Sequence, residues 1–207
     1  MLSMLCSVAL AGTPSTAALP AHMQHHFADA TDAVWYVALG DLQRARQAAG
    51  RLDHAPDPAM PPERSAEIQR MRDTAHALAE APDLARAATL SVTLAGACAA
   101  CHTATGPGPT LEASEAVVPR ASEAGQHGMA AYTLWVGLVV PSEAAYQAGA
   151  RALLPVPGGA DPGQAETYQR LAQRLLTAEG EARSLGVAQV FRGCASCHLH
   201  SGIRLEP

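Results

Sequence analysis

Hydrophobic positions recur every three to four residues along most of this chain, the spacing that lines one face of an α-helix. Over 24–39, Phe27, Ala30, Val34 and Val37 fall on one such face, and Gly40-Asp41 then offers a stop and a fresh N-cap. Leu42, Ala45, Ala48 and Ala49 carry the face on to about Leu52, giving two helices or one kinked helix. The Pro- and Asp-rich stretch 53–62 reads as a loop, with Pro61 and Pro62 placed to open a helix over 63–80 that buries Ile68, Met71, Ala75 and Leu78. Pro82-Asp83 ends it, and a last helix presents Leu84, Ala88, Leu94 and Ala95.

Residues 103–120, with Gly106-Pro107-Gly108-Pro109, keep no period and read as a linker. The pattern then starts again. His127 stands 101 positions after His26, and the break at Pro141-Ser142 stands 101 after Gly40-Asp41. Beyond the break, Gln147-Ala148 and Arg151 answer Gln47-Ala48 and Arg51 at an offset of 100, as Gln169-Arg170 answers Gln69-Arg70. Ser142 caps a helix to Leu154, 155–163 is the second loop, and two further helices span 164–178 and 181–197. A register that drifts slowly across a whole half marks an internal repeat. The expected fold is all-α, with two tandem bundles of three or four helices.

Composition agrees with helices. Apolar residues make up 48% of the 207 residues but aromatics only 4%, so Ala and Leu dominate cores that lack large rings. Formal net charge is −5, and all fourteen basic residues are Arg. With no basic run to track phosphates, no nucleic acid is expected, and a partner docking through charge would present a positive face. The segment 1–22, with apolar 1–11 followed by small residues, reads as a secretory signal without its positive start, or as a disordered N-terminus. No later apolar run reads as long enough to cross a membrane. The sequence assigns no oligomeric state.

The chemistry lies in Cys98-Ala99-Ala100-Cys101-His102, which returns ninety-six positions later as Cys194-Ala195-Ser196-Cys197-His198. Two thiols one helical turn apart suit thioether bonds to the two vinyl edges of one porphyrin. The next residue, an imidazole, then reaches the iron from the same side. A zinc site and a redox dithiol are competing readings, but neither explains the histidine that follows both pairs; zinc and a structural disulfide are the alternatives to haem. The cofactor expectation is therefore two haem c groups, held by Cys98, Cys101, His102 and by Cys194, Cys197, His198. On this division, 23–105 is the first haem-binding domain, 106–122 the linker and 123–207 the second domain.

With these motifs the chain resembles tandem dihaem c-type cytochromes whose halves are small helical bundles ending in a haem motif, similar to cytochrome c-prime. The resemblance runs from Met23 to His198. It rests on the two pentapeptides, Met23-Gln24-His25-His26-Phe27, Gly40-Asp41-Leu42, Leu134-Trp135, Gly137-Leu138 and Pro141-Ser142. It implies an exported, periplasmic electron carrier without enzymatic activity, serving redox partner proteins. Cytochrome c-prime proper leaves its iron open on the distal side, so the resemblance leaves the sixth ligand undecided. In such a bundle a distal ligand comes from the first helix of the half, where His26 and His127 stand fourteen residues before their breaks. These two are the expected sixth ligands, with His25, Met23 and Met129 as substitutes. The distances to Trp35 and Trp135 differ by one residue, and the break is the better ruler because it marks backbone geometry. The alternative function is a haem peroxidase or gas-binding sensor with one five-coordinate iron. His22, His54, His76 and His200 are expected in solvent, and Trp35 and Trp135 in the core.

Overall fold

The computed structural model describes residues 18–54, 64–104, 123–154 and 162–202. Among them the chain forms eight α-helices and no strand: α1 (Ala18–Ala38), α2 (Leu42–His54), α3 (Ser65–Ala79), α4 (Leu84–Ala104), α5 (Glu123–Val139), α6 (Glu143–Ala152), α7 (Pro162–Thr177) and α8 (Gly180–Ser201). The linker 106–122, residues 1–17 of the N-terminal segment with Cys6, and most of both Pro-rich loops lie outside the described residues. Residues 18–22 belong to α1, which therefore starts earlier than its apolar pattern indicates.

Both helix breaks are complete, so each half contributes four helices. At the first, Gly40 takes φ +78°, Asp41 N–H donates to Tyr36 O and Gly40 N–H to Val37 O, which satisfies the last carbonyls of α1. The Asp41 carboxylate then accepts from Arg44 N–H at 2.9 Å and caps α2. At the second, Ser142 N–H donates to Gly137 O, and its hydroxyl accepts from Ala145 N–H at 3.3 Å. Asp41→Ala and Ser142→Ala should each cost about 1 kcal/mol, read as a lower denaturation midpoint with an unchanged slope.

These bonds set the true register of the repeat. Tyr36–Asp41 answers Gly137–Ser142, and Ala45, Ala48, Ala49 and Leu52 answer Tyr146, Gly149, Ala150 and Leu153 in the core, all at an offset of 101. The offset of 100 inferred for α2 and α6 from Gln47-Ala48 and Arg51 is thus corrected. Gln47 and Arg51 are exposed, where packing does not hold a residue type in place, and buried Ala48 is matched in the core by Gly149 rather than by half-buried Ala148. In α3 and α7 the offset is 100, as Met71 and Ala75 answer Leu171 and Leu175, and in α4 and α8 it is 96.

α4 packs against α1, α3, α5 and α8, and α8 against α1, α4, α5 and α7. The four inner helices are α1, α4, α5 and α8, flanked by α2–α3 on one side and α6–α7 on the other. Helix directions follow from end contacts. Early Phe27 meets late Trp135, with ring centroids 6.0 Å apart, and a Cβ on early Gly128 would lie 2.9 Å from late Trp35, so α1 and α5 run antiparallel. Trp135 is fully buried and donates its Nε1–H to Ser91 O of α4 at 3.2 Å. Val34, Leu78, Leu94, Trp135, Tyr146 and Phe191 belong to one continuous apolar cluster spanning both halves.

α4 is long and apolar enough, by length and composition, to cross a membrane, which the sequence pattern did not credit. In this fold it threads the core, burying Ala87, Ala88, Leu90, Val92, Leu94 and Ala95.

Candidate functional site

The first motif occupies the end of α4 and the second the end of α8. Helical geometry places Cys98 and Cys101 on one face a turn apart, with His102 beside them, and does the same for Cys194, Cys197 and His198. Cys98 and Cys194 pack against the core cluster, whereas Cys197 is exposed. All four sulfurs are unbridged thiols. Among the described residues no group of three or more His, Cys, Asp or Glu side chains converges, so the two pairs are not drawn into one four-sulfur site.

Three of the motif thiols, Cys98, Cys101 and Cys194, are held in their protonated form by burial. Burial pushes Cys98 up to about 12 and Cys194 up to about 11, and it raises Cys101 as well. A redox dithiol lowers the pKa of its attacking sulfur instead.

The motif histidines are held by their backbone-side nitrogens. His102 Nδ1 lies 3.0 Å from Val139 O, and His198 Nδ1 lies 2.8 Å from Ala38 O. A carbonyl oxygen only accepts, so each Nδ1 donates its proton in this bond. Metal-ligating imidazoles are commonly held in this way, with a backbone carbonyl fixing the ring through the nitrogen that does not bind the metal. The six motif residues therefore fit covalently attached haem: in each copy two thiols a turn apart stand beside one imidazole fixed through Nδ1.

His26 and His127 occupy equivalent positions on α1 and α5. His26 is buried, 9% exposed, its ring centroid 4.0 Å from that of His22. His22 is half-buried rather than solvated, and its four-residue spacing from His26 was the available signal. His127 is half-buried and stacks on Tyr168, with centroids 5.5 Å apart and planes within 16°; burial lowers its pKa. The Tyr168 hydroxyl lies 3.9 Å from Cys194 Sγ, so this ring touches both the expected distal histidine and the second motif. Burial holds the Tyr168 phenol well above its ordinary pKa.

Tyr168 was not singled out from the sequence. Its counterpart in the first half is Ile68, and an aromatic at that place in so aromatic-poor a chain was the clue. Met23 and His25 are exposed and Met129 is half-buried. His54, His76 and His200 are exposed, His76 beside Asp53 at 3.0 Å and His200 bonded to Ser196 O.

Compared with known proteins, the chain matches no protein-family model, and it matches neither a curated protein nor a solved structure.

Proposed function

We propose that this chain is an exported, periplasmic dihaem cytochrome c, built as two tandem four-helix units that each finish on a haem-attachment motif, and that it carries electrons between redox partner proteins. The observation that carries this reading is the matched pair of imidazoles, each donating Nδ1–H to a backbone carbonyl beside two thiols one turn away. When bound, haem iron supplies the one-electron change of oxidation state. Cys98 with Cys101 and Cys194 with Cys197 provide the covalent tethers. His102 and His198 provide the proximal nitrogens, and their carbonyl bonds hold the rings and raise ligand basicity. His26 and His127, each on the first helix of its half, would supply the second protein ligand to each iron. The surrounding Ala, Val and Leu side chains limit water, and with it the local dielectric that sets potential.

A second reading, a peroxidase or gas-binding sensor open at one iron, is favoured at the second site by one observation. Tyr168 stands between His127 and Cys194 there, where the first half has Ile68. Low-temperature electron paramagnetic resonance of the oxidised protein distinguishes the two. The carrier reading expects two low-spin bis-His centres and no carbon monoxide adduct in the reduced form. A high-spin centre that takes up one equivalent of carbon monoxide rejects it in favour of the sensor or peroxidase.

A further inference from the structure

The two carbonyls that hold the motif histidines come from the wrong halves. His102, which closes the first half, is bonded to Val139 of α5 in the second; His198, which closes the second, is bonded to Ala38 of α1 in the first. Ala38 and Val139 stand 101 positions apart, the register of the helix breaks, so the two bonds are the same bond made twice across an internal twofold relation. Both carbonyls sit at the end of a helix, immediately before the break that Asp41 or Ser142 caps.

Directions confirm the exchange. The end of α8 lies at the end of α1, where Leu199 also covers Gly40: a Cβ there would meet Leu199 Cγ at 3.0 Å. The end of α4 lies at the end of α5. Helix α5 thus meets, near its start, Tyr168 of α7, which in turn touches Cys194 of the second motif, and it bonds the first motif at its end through Val139. Twelve residues separate His127 from Val139, about 18 Å of helix. The same twelve separate His26 from Ala38 on α1.

We infer that each haem site is completed by the opposite half: α1 positions the proximal imidazole of the second site and α5 that of the first, so the two sites are built as a pair. This rests on the haem reading above. A hydrogen bond from the proximal imidazole raises its basicity and fixes its plane, and loss of such a partner commonly costs 10- to 100-fold in metal affinity or activity. Changes at one half's helix break therefore reach the other half's centre.

Asp41→Ala and Ser142→Ala test this in the full two-haem chain, because neither side chain belongs to a motif and each removes the cap at one break. The readouts are the paramagnetic resonance signal of each centre, its midpoint potential, and the deuterium-exchange rate of each ligating imidazole's Nδ1 proton. Signals are assigned with Cys194→Ala/Cys197→Ala, which carries only the first haem. The expected pattern is crossed. Asp41→Ala shifts the second centre and speeds exchange at His198, while Ser142→Ala shifts the first and speeds exchange at His102. Shifts confined to the mutated half, or no shift in either centre, overturn the inference while leaving two bound haems in place. A protein with the mass of bare polypeptide would instead remove the reading beneath it.

Discussion

Protein matured in cells that attach haem c is expected to weigh two haem groups more than its polypeptide, and Cys194→Ala/Cys197→Ala is expected to remove one of them. The visible absorbance per chain then falls about two-fold, and denaturation releases whatever His198 alone retains, because the thioethers are the only covalent links. Cys98→Ala/Cys101→Ala should remove the other haem with the same two-fold effect. The measurement is the mass of the denatured chain. If neither pair changes it, the motifs are not attachment sites. Replacing one cysteine of a pair should keep the mass, since the second thiol still tethers the group.

The largest effect on stability is expected where α5 and α6 cross. A Cβ on Gly149 would lie 2.5 Å from Leu134 N and 2.9 Å from Ala130 O, and one on Gly137 would lie 2.5 Å from Tyr146 N. The intruded atoms are backbone, which cannot turn aside as a side chain can, so the helices must separate and the core around Leu134 and Tyr146 must open. Gly149→Ala is expected to cost about 3 kcal/mol, roughly 6–12 °C in Tm for a chain of this size. Gly50 and Gly96 supply the contrast, since a Cβ on either meets nothing within 4 Å inside a helix. Gly50→Ala should instead raise stability by about 0.5–1 kcal/mol through its effect on the unfolded chain. Thermal unfolding of the variants checks the sign at each site. A neutral Gly149→Ala would mean the two helices are not in backbone contact.

Much of this fold was legible because its signals are carried by side chains. Val34, Val37, Met71, Ala75 and Leu78 keep helical spacing, and all are buried. Asp41 and Ser142 announce their caps by residue type, and the two Cys-x-x-Cys-His pentapeptides announce themselves by spacing. The apolar length of α4 was hidden by Thr89, Ser91 and Thr93. Each bonds its hydroxyl to the carbonyl four residues back, at 3.1, 2.9 and 3.0 Å, so the helix interior accommodates side chains that look polar in a sequence. The acceptors at Ala38 and Val139 could not be read at all, because a backbone carbonyl is common to every residue and only tertiary packing selects one. The placement of Trp35 against Gly128 and of Trp135 against Phe27 explains the one-residue disagreement between the two rulers. The tryptophans meet equivalent partners from neighbouring turn positions, while the break bonds keep the backbone register.

The sharing of one apolar cluster by both halves bears on how the chain comes to be folded. Synthesis delivers α4 after α1 and α3 but before α5 and α8, so the side of this apolar helix that the second half covers stays open until those helices have emerged. Contacts that join distant parts of a chain are slow to form. The interval leaves that side of α4 open to premature association or to a lipid surface, and it makes a shielding factor during synthesis more useful here than for a chain whose halves close independently.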